Sequence, residues 1–189
     1  MKRRSGGKSW AVRRLRQQVV LGIALGGLFC ISAFGQHSSP PEQTRFGVET
    51  EVKRPAPIPA EIVESLREDR RNRTCLEEGQ SAARIDASWF VGSIVNLNGR
   101  SGNDLIVKPQ NPCLLGANLG PFWIYRETAN GYRLVLAVDA LALELLSRRT
   151  NGLRDIVASA ATASTVSRRT YSFNGSRYER RARPQRRGK

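Results

Sequence analysis

Apolar positions change their period along this chain, and the changes outline its elements. Residues 19–34, VVLGIALGGLFCISAF, run for sixteen positions without a charge. Residues 59–72, PAEIVESLREDRRN, set Ile62, Val63 and Leu66 on one helical face, with Pro59 suited to the first turn and acids early. That stripe is narrow, so the helix is expected to dock on the following domain or to be tied there through Cys75. After Asp86 the texture becomes short β-rich runs between turns, and the predicted strands are 86–96, 103–108, 121–128, 132–139, 141–149, 153–162 and 166–180 with its own hairpin. Leu141 to Leu146 favours helix by propensity, but the turn that follows favours a strand.

The turns share a dipeptide. Asn-Gly occurs at Asn98-Gly99, Asn130-Gly131, Asn151-Gly152 and Asn174-Gly175, and this pair tolerates the φ > 0 that two-residue hairpin loops require. Used as turn centres, these pairs fix a register that hydrophobicity can check. Asn130-Gly131 would pair Tyr125 with Leu136 and Trp123 with Val138, putting Trp123, Tyr125, Leu134, Leu136 and Val138 on one face. Asn151-Gly152 would align Leu143 with Ala160 and Leu145 with Ala158, add Ile156 to that face, and set Arg148 against Asp155 as a cross-strand ion pair. Asn174-Gly175 would oppose Tyr171 and Tyr178, with Phe173 beside them. Short connections and few helices imply mostly antiparallel pairing. The expected fold class is therefore mainly β (small α+β): an antiparallel meander sheet or sandwich of about seven strands with one N-terminal helix. It occupies residues 59–181.

Charge placement adds a compartment. Of the net +15, residues 1–35 hold seven Lys or Arg and no acid, residues 177–189 hold seven more against Glu179, and the middle is close to neutral. A basic block, the apolar run and Ala33-Phe34-Gly35 form the three parts of a secretory signal peptide, so residues 1–35 read as a signal peptide or an uncleaved N-terminal anchor. The basic flank keeps the N-terminus cytoplasmic. The remainder is expected in the periplasm or outside the cell, anchored by residues 19–34 if the segment stays, and that segment enters the inner membrane at least during export. Residues 36–58, QHSSPPEQTRFGVETEVKRPAPI, are rich in Pro, Ser and charge and read as a disordered linker, in which His37 has no partner. Residues 182–189 read as a basic disordered tail. Cys30 lies in the apolar run, which leaves Cys75 and Cys113 as an even pair suggestive of a disulfide in an exported chain.

GPFWIYRETANGYRLVL, then RRTNGLRDI and YSFNGSRY, resemble a set of uncharacterised bacterial secreted β-domain proteins: an aromatic hairpin, a Thr-Asn-Gly turn ending in an acid, and a Tyr/Phe-Asn-Gly hairpin. The likeness covers residues 84–180. In those proteins a Cys-rich loop precedes the aromatic strand. Here Cys113 matches it, but Gly120 stands where a second Cys would be, which points Cys113 towards Cys75. The resemblance implies the fold and export and no settled activity. Residues 96–107, NLNGRSGNDLIV, are also similar to the calcium loop of FG-GAP repeats, which would put Asn96, Asn98, Arg100 and Asp104 at ligand positions. Calcium wants six to eight oxygen ligands, and a guanidinium in the shell repels it, so the loop reads as a turn with no metal or cofactor.

Function is constrained mainly by omission. Beyond residue 37 there is no histidine, and the acids Asp86, Asp104, Glu127, Asp139, Glu144 and Asp155 are scattered; two of them converging would give carboxylate-based hydrolase chemistry. The leading expectation is an exported, non-enzymatic envelope β-module that binds a protein or glycan. Its candidate anchors are Phe90 and Phe122, because one of Phe122 and Trp123 must face outward unless a second sheet or the helix covers it. The other expectation is contact with an anionic surface through the basic C-terminal segment, with Arg177, Arg180 and Arg181 as candidates. Export disfavours nucleic acid as the partner.

Overall fold

A computed structural model describes residues 42–99, 102–116, 119–162 and 164–182. The expected signal segment with Cys30, residue His37, Arg100 and the tail from residue 183 lie outside the described residues. The chain divides into two units at Ser39/Pro40, and everything below concerns the second.

Among the described residues ten strands form two antiparallel sheets. In chain order they are β1 (Arg45–Gly47), β2 (Pro55–Ala56), β3 (Phe90–Val95), β4 (Asp104–Pro109), β5 (Gly120–Thr128), β6 (Gly131–Ala140), β7 (Ala142–Thr150), β8 (Leu153–Ala161), β9 (Val166–Phe173) and β10 (Tyr178–Arg180). One sheet runs β1-β7-β8-β9-β10 and the other β2-β3-β4-β5-β6, so only Leu141 separates the last strand of one from a central strand of the other. Residues 142–150 are strand, which settles the helix-or-strand ambiguity there.

The expected helix is present in two pieces, α1 (Ala60–Glu68) and α2 (Arg70–Arg73), broken where Asp69 turns extended and caps α2 by accepting from the Arg71 N–H at 2.9 Å. Helix α1 buries Ile62 and Leu66 against Phe90, Leu105, Val107, Trp123 and Tyr125 of the second sheet. The opposite face of that sheet supplies Ile106, Phe122, Ile124 and Val138 to a core shared with Leu143, Leu145, Ile156, Ala158 and Phe173 of the first. Strand β5 is therefore buried on both faces. Trp123 lies under the helix with its indole N–H donating to Asp69 at 2.6 Å, and Phe122 lies between the sheets. The disulfide Cys75–Cys113 ties the segment after α2 to the 3₁₀ turn Pro112–Leu114, adding roughly 3–4 kcal/mol by loop closure.

Three registers differ from expectation. At Asn130-Gly131 only the glycine takes positive φ (97°), so the two-residue loop is Ala129-Asn130 and Thr128 pairs with Gly131. With a further shift between Ile124 and Tyr125, Tyr125 faces Leu134 in register while Ile124 faces Leu136. The expected face therefore splits: Trp123 and Tyr125 go to the helix side, Leu136 and Val138 go between the sheets, and Leu134 is left 40% exposed. At Asn151-Gly152 both residues take positive φ (49° and 83°) and the turn is as expected, but an irregularity between Leu145 and Arg149 moves the pairing by two, so that Leu143 meets Ala158 and Leu145 meets Ile156. An even shift preserves the face, and the apolar set stays together. The third loop is four residues long, since Asn174 N–H bonds the Arg177 carbonyl and Phe173, not Tyr171, faces Tyr178.

The expected linker is ordered over its described part. Phe46, Val48 and Val52 are buried, β1 adds an edge to one sheet and β2 to the other. Two apolar residues from this short clasp, Phe46 and Val48, enter a core built by other strands, and the partner strands supply its backbone hydrogen bonds, so it needs no core of its own. Lys108 completes the joint: its buried ammonium donates to the carbonyls of Gly47 at 2.9 Å, Val48 at 2.8 Å and Thr50.

Candidate ligand groove

Strand β9 is the second-to-last strand of its sheet, and the short β10 covers only part of it. β10 pairs with Tyr171, Ser172 and Phe173, and Arg181 N–H adds one bond to the Thr170 carbonyl at 2.8 Å. Beyond that point no described strand pairs with this side of β9, and a groove of roughly 850 Å³ opens along residues 165–170 and 180–182, with Arg148 reaching it from β7. Five arginines line it: Arg148, Arg168, Arg169, Arg180 and Arg181. Asp155 holds Arg148 at 2.5 Å and Glu144 holds Arg168 at 2.7 Å, whereas Arg169, Arg180 and Arg181 make no ion pair among the described residues. Burial pushes the Asp155 carboxyl up, but the Arg148 guanidinium bonded to it and the neighbouring Thr150 and Ser172 hydroxyls outweigh that and hold its pKa low, so the acid stays ionised beneath the arginines. Glu144 is likewise held low, first by its hydrogen bond from Arg45 and further by Arg168.

The sequence-derived candidates fare unequally. Arg180 and Arg181 lie in the groove; Arg177 stands outside its lining, with its guanidinium on Glu179 at 3.3 Å. Phe90 and Phe122, expected as exposed anchors, are 3% and 0% exposed. Phe90 packs edge-on against Trp123 with centroids 5.5 Å apart, and neither ring is available to a partner. The reason is the third layer: the helix covers one face of the second sheet at these positions and the first sheet covers the other. Arg168 and Arg169 were not expected at a site, and Arg148 was expected only as the cross-strand partner of Asp155, which it is. Their signal is the tetrapeptide Ser-Arg-Arg-Thr, which occurs at 147–150 and again at 167–170, on the two strands that flank β8.

Two smaller hollows have their charges already paired. One of roughly 330 Å³ lies beside Cys113, where Arg71 is bound to Asp69 at 2.6 Å and to Asp139 at 3.4 Å. The other, of roughly 370 Å³, contains Glu144 between Arg45 and Arg168. Among the acids weighed for hydrolysis, Asp104 and Glu127 do meet, but both serve the loop. Asp104 accepts from the N–H groups of Leu97 at 3.1 Å and Glu127 at 3.0 Å, and Glu127 accepts from the Asn103 N–H at 3.1 Å. Burial raises the pKa of Asp104. These bonds pin the turn that resembles a calcium loop; Arg149 packs against its Gly99, where a Cβ would fall on the guanidinium. Among the described residues no three His, Cys, Asp or Glu side chains gather at metal-binding distance.

Fold and groove together define a disulfide-bonded two-sheet β-sandwich with a helical third layer and an arginine-lined sheet edge. No helix among the described residues is long and apolar enough to cross a membrane. Comparison with protein-family models, with characterised proteins and with solved structures gives no match, so both resemblances rest on the motif residues alone.

Proposed function

We propose that this protein is an exported, non-enzymatic binding module of the cell envelope that holds an anionic ligand in the groove along β9 and β10. The observation that carries this reading is the set of three arginines, Arg169, Arg180 and Arg181, that make no ion pair among the described residues, beside two that are already paired. Like charges gathered on one edge repel one another, and a ligand of opposite sign relieves that repulsion. The disulfide is compatible with an oxidising compartment outside the cytoplasm. In sequence, Arg183, Arg186, Arg187 and Lys189 follow the groove-lining Ala182.

The test is salt-dependent retention of the full-length protein on an immobilised polyanion such as dextran sulfate. Replacing Arg169, Arg180 and Arg181 by Glu is expected to lower the eluting salt markedly. The same net change made at the exposed Arg70, Arg84 and Arg133 is expected to lower it much less. Equal effects of the two triple variants would show that net charge alone is at work and would remove the groove from the reading.

A further inference from the structure

The groove has a second property besides charge. Residues 165–170 line it consecutively, so side chains of both parities border it and it runs along the strand's edge instead of over one face. In an antiparallel ladder, alternate residues point their N–H and C=O to opposite neighbours. Thr170 accepts from Arg181 and Asn174 donates to Arg177, so the even-numbered residues of β9 point towards the β10 side. Val166 and Arg168 are the even residues that β10 does not reach, and their backbone groups face the groove. Val166 is also 69% exposed, an unusual position for a β-branched apolar residue on an open edge.

Resting on the anionic-ligand reading, we propose that the ligand is an extended acidic segment of another protein that adds as a strand alongside Val166–Thr170, continuing the sheet where β10 ends. Main-chain hydrogen bonds to Val166 and Arg168 would set its register. Acidic side chains on successive residues, which point to opposite faces of a strand, would meet Arg168 and Arg181 on one side and Arg169 and Arg180 on the other. Two other occupants fit worse. The chain's own residues 183–189, RPQRRGK, bring four cations and Pro184, which has no N–H to give. A second copy pairing edge to edge would set arginines against arginines, a destabilising cross-strand arrangement.

The experiment uses the full-length protein and a fluorescent eight-residue peptide, Glu-Glu-Thr-Thr repeated twice, which carries Glu on both faces when extended. A fully N-methylated analogue has the same charge but no ladder donors. The proposal expects binding of the unmodified peptide, at least tenfold weaker binding of the analogue, and slowed hydrogen exchange at the Val166 and Arg168 amides in the complex. On the protein side, Val166→Pro removes an edge N–H that does not bond β8. It is expected to weaken the unmodified peptide at least tenfold and the N-methylated analogue much less. Equal binding of both peptides, without protection at those amides, overturns strand addition and leaves the anionic-ligand reading standing. Loss of both peptide binding and groove-dependent retention overturns both. Concentration-dependent dimerisation that protects the same amides without peptide assigns the edge to a second copy, and their protection in the isolated monomer, lost on deleting residues 183–189, assigns it to the tail; either result overturns the proposal.

Discussion

Replacing Lys108 by Met tests how the N-terminal clasp is held. The ammonium is buried, has no carboxylate partner among the described residues, and gives its three protons to the carbonyls of Gly47, Val48 and Thr50. Met fills the space of the aliphatic stem but offers no donor, so the cost falls on the carbonyls. That of Val48 is bonded in a buried setting, and leaving it unsatisfied costs about 1–3 kcal/mol. The Gly47 and Thr50 carbonyls are only partly buried and can turn to water, at about 0.5–1 kcal/mol each. Relief of the ammonium's own burial offsets part of this, giving an expected loss of about 1–4 kcal/mol. For a domain of this size each kcal/mol lowers Tm by about 2–4 °C. Urea unfolding gives the loss, and hydrogen exchange at residues 46–50 should speed up before that of β8. Burial lowers the Lys108 pKa below its usual 10.5, so the unfolded chain binds more protons between the two values. Stability of the wild type should therefore rise through that window relative to the variant. A variant as stable as the wild type, with unchanged exchange at 46–50, would refute the idea that the ammonium fastens the clasp.

Three further outcomes follow from the same interior. Tyr125 donates to Ser65 at 3.1 Å and burial pushes its pKa up to about 12, so its contribution is complete below pH 10 and is lost as pH rises from 10 to 12. In alkaline melts the wild type should lose up to about 2–3 kcal/mol more than Tyr125→Phe over that window. Replacing both Cys75 and Cys113 by Ser should cost about 2–5 kcal/mol in urea, and reductant should then have no further effect on the variant's midpoint. Phe122→Ala should cost about 3–5 kcal/mol, a core value; a loss below about 1 kcal/mol would restore the outward-facing ring expected from sequence.

Strand positions were legible because hydrophobic runs and turn residues are local signals, and the main β segments lie within a few residues of where periodicity put them. Registers were less legible, since they depend on which turn residues accept positive φ. Asn151 does and Asn130 does not, although both precede glycine. The clasp was hidden for a different reason. Phe46, Val48 and Val52 are too few to announce a strand, and their burial is decided by sheets whose strands lie far along the chain. Of the groove, Arg180 and Arg181 could be read from a basic tail. Arg148, Arg168 and Arg169 become neighbours of them only once β7, β8 and β9 are laid side by side. Phe90 and Phe122 were misplaced because alternation describes a sheet with one wet face, and where these two rings lie the sheet is covered.

The clasp also constrains the order in which the molecule can form. Arg45 pairs with Glu144, 99 residues downstream, while β2 pairs with β3 after fewer than forty. Closing the longer loop is entropically dearer, and a chain made from its N-terminus has no β7 to offer when residues 45–47 appear. During that interval the edge of Phe46 and Val48 waits unpaired. The segment that fastens both sheets is thus among the first parts synthesised and the last to be locked, which makes its docking a natural commitment step in folding.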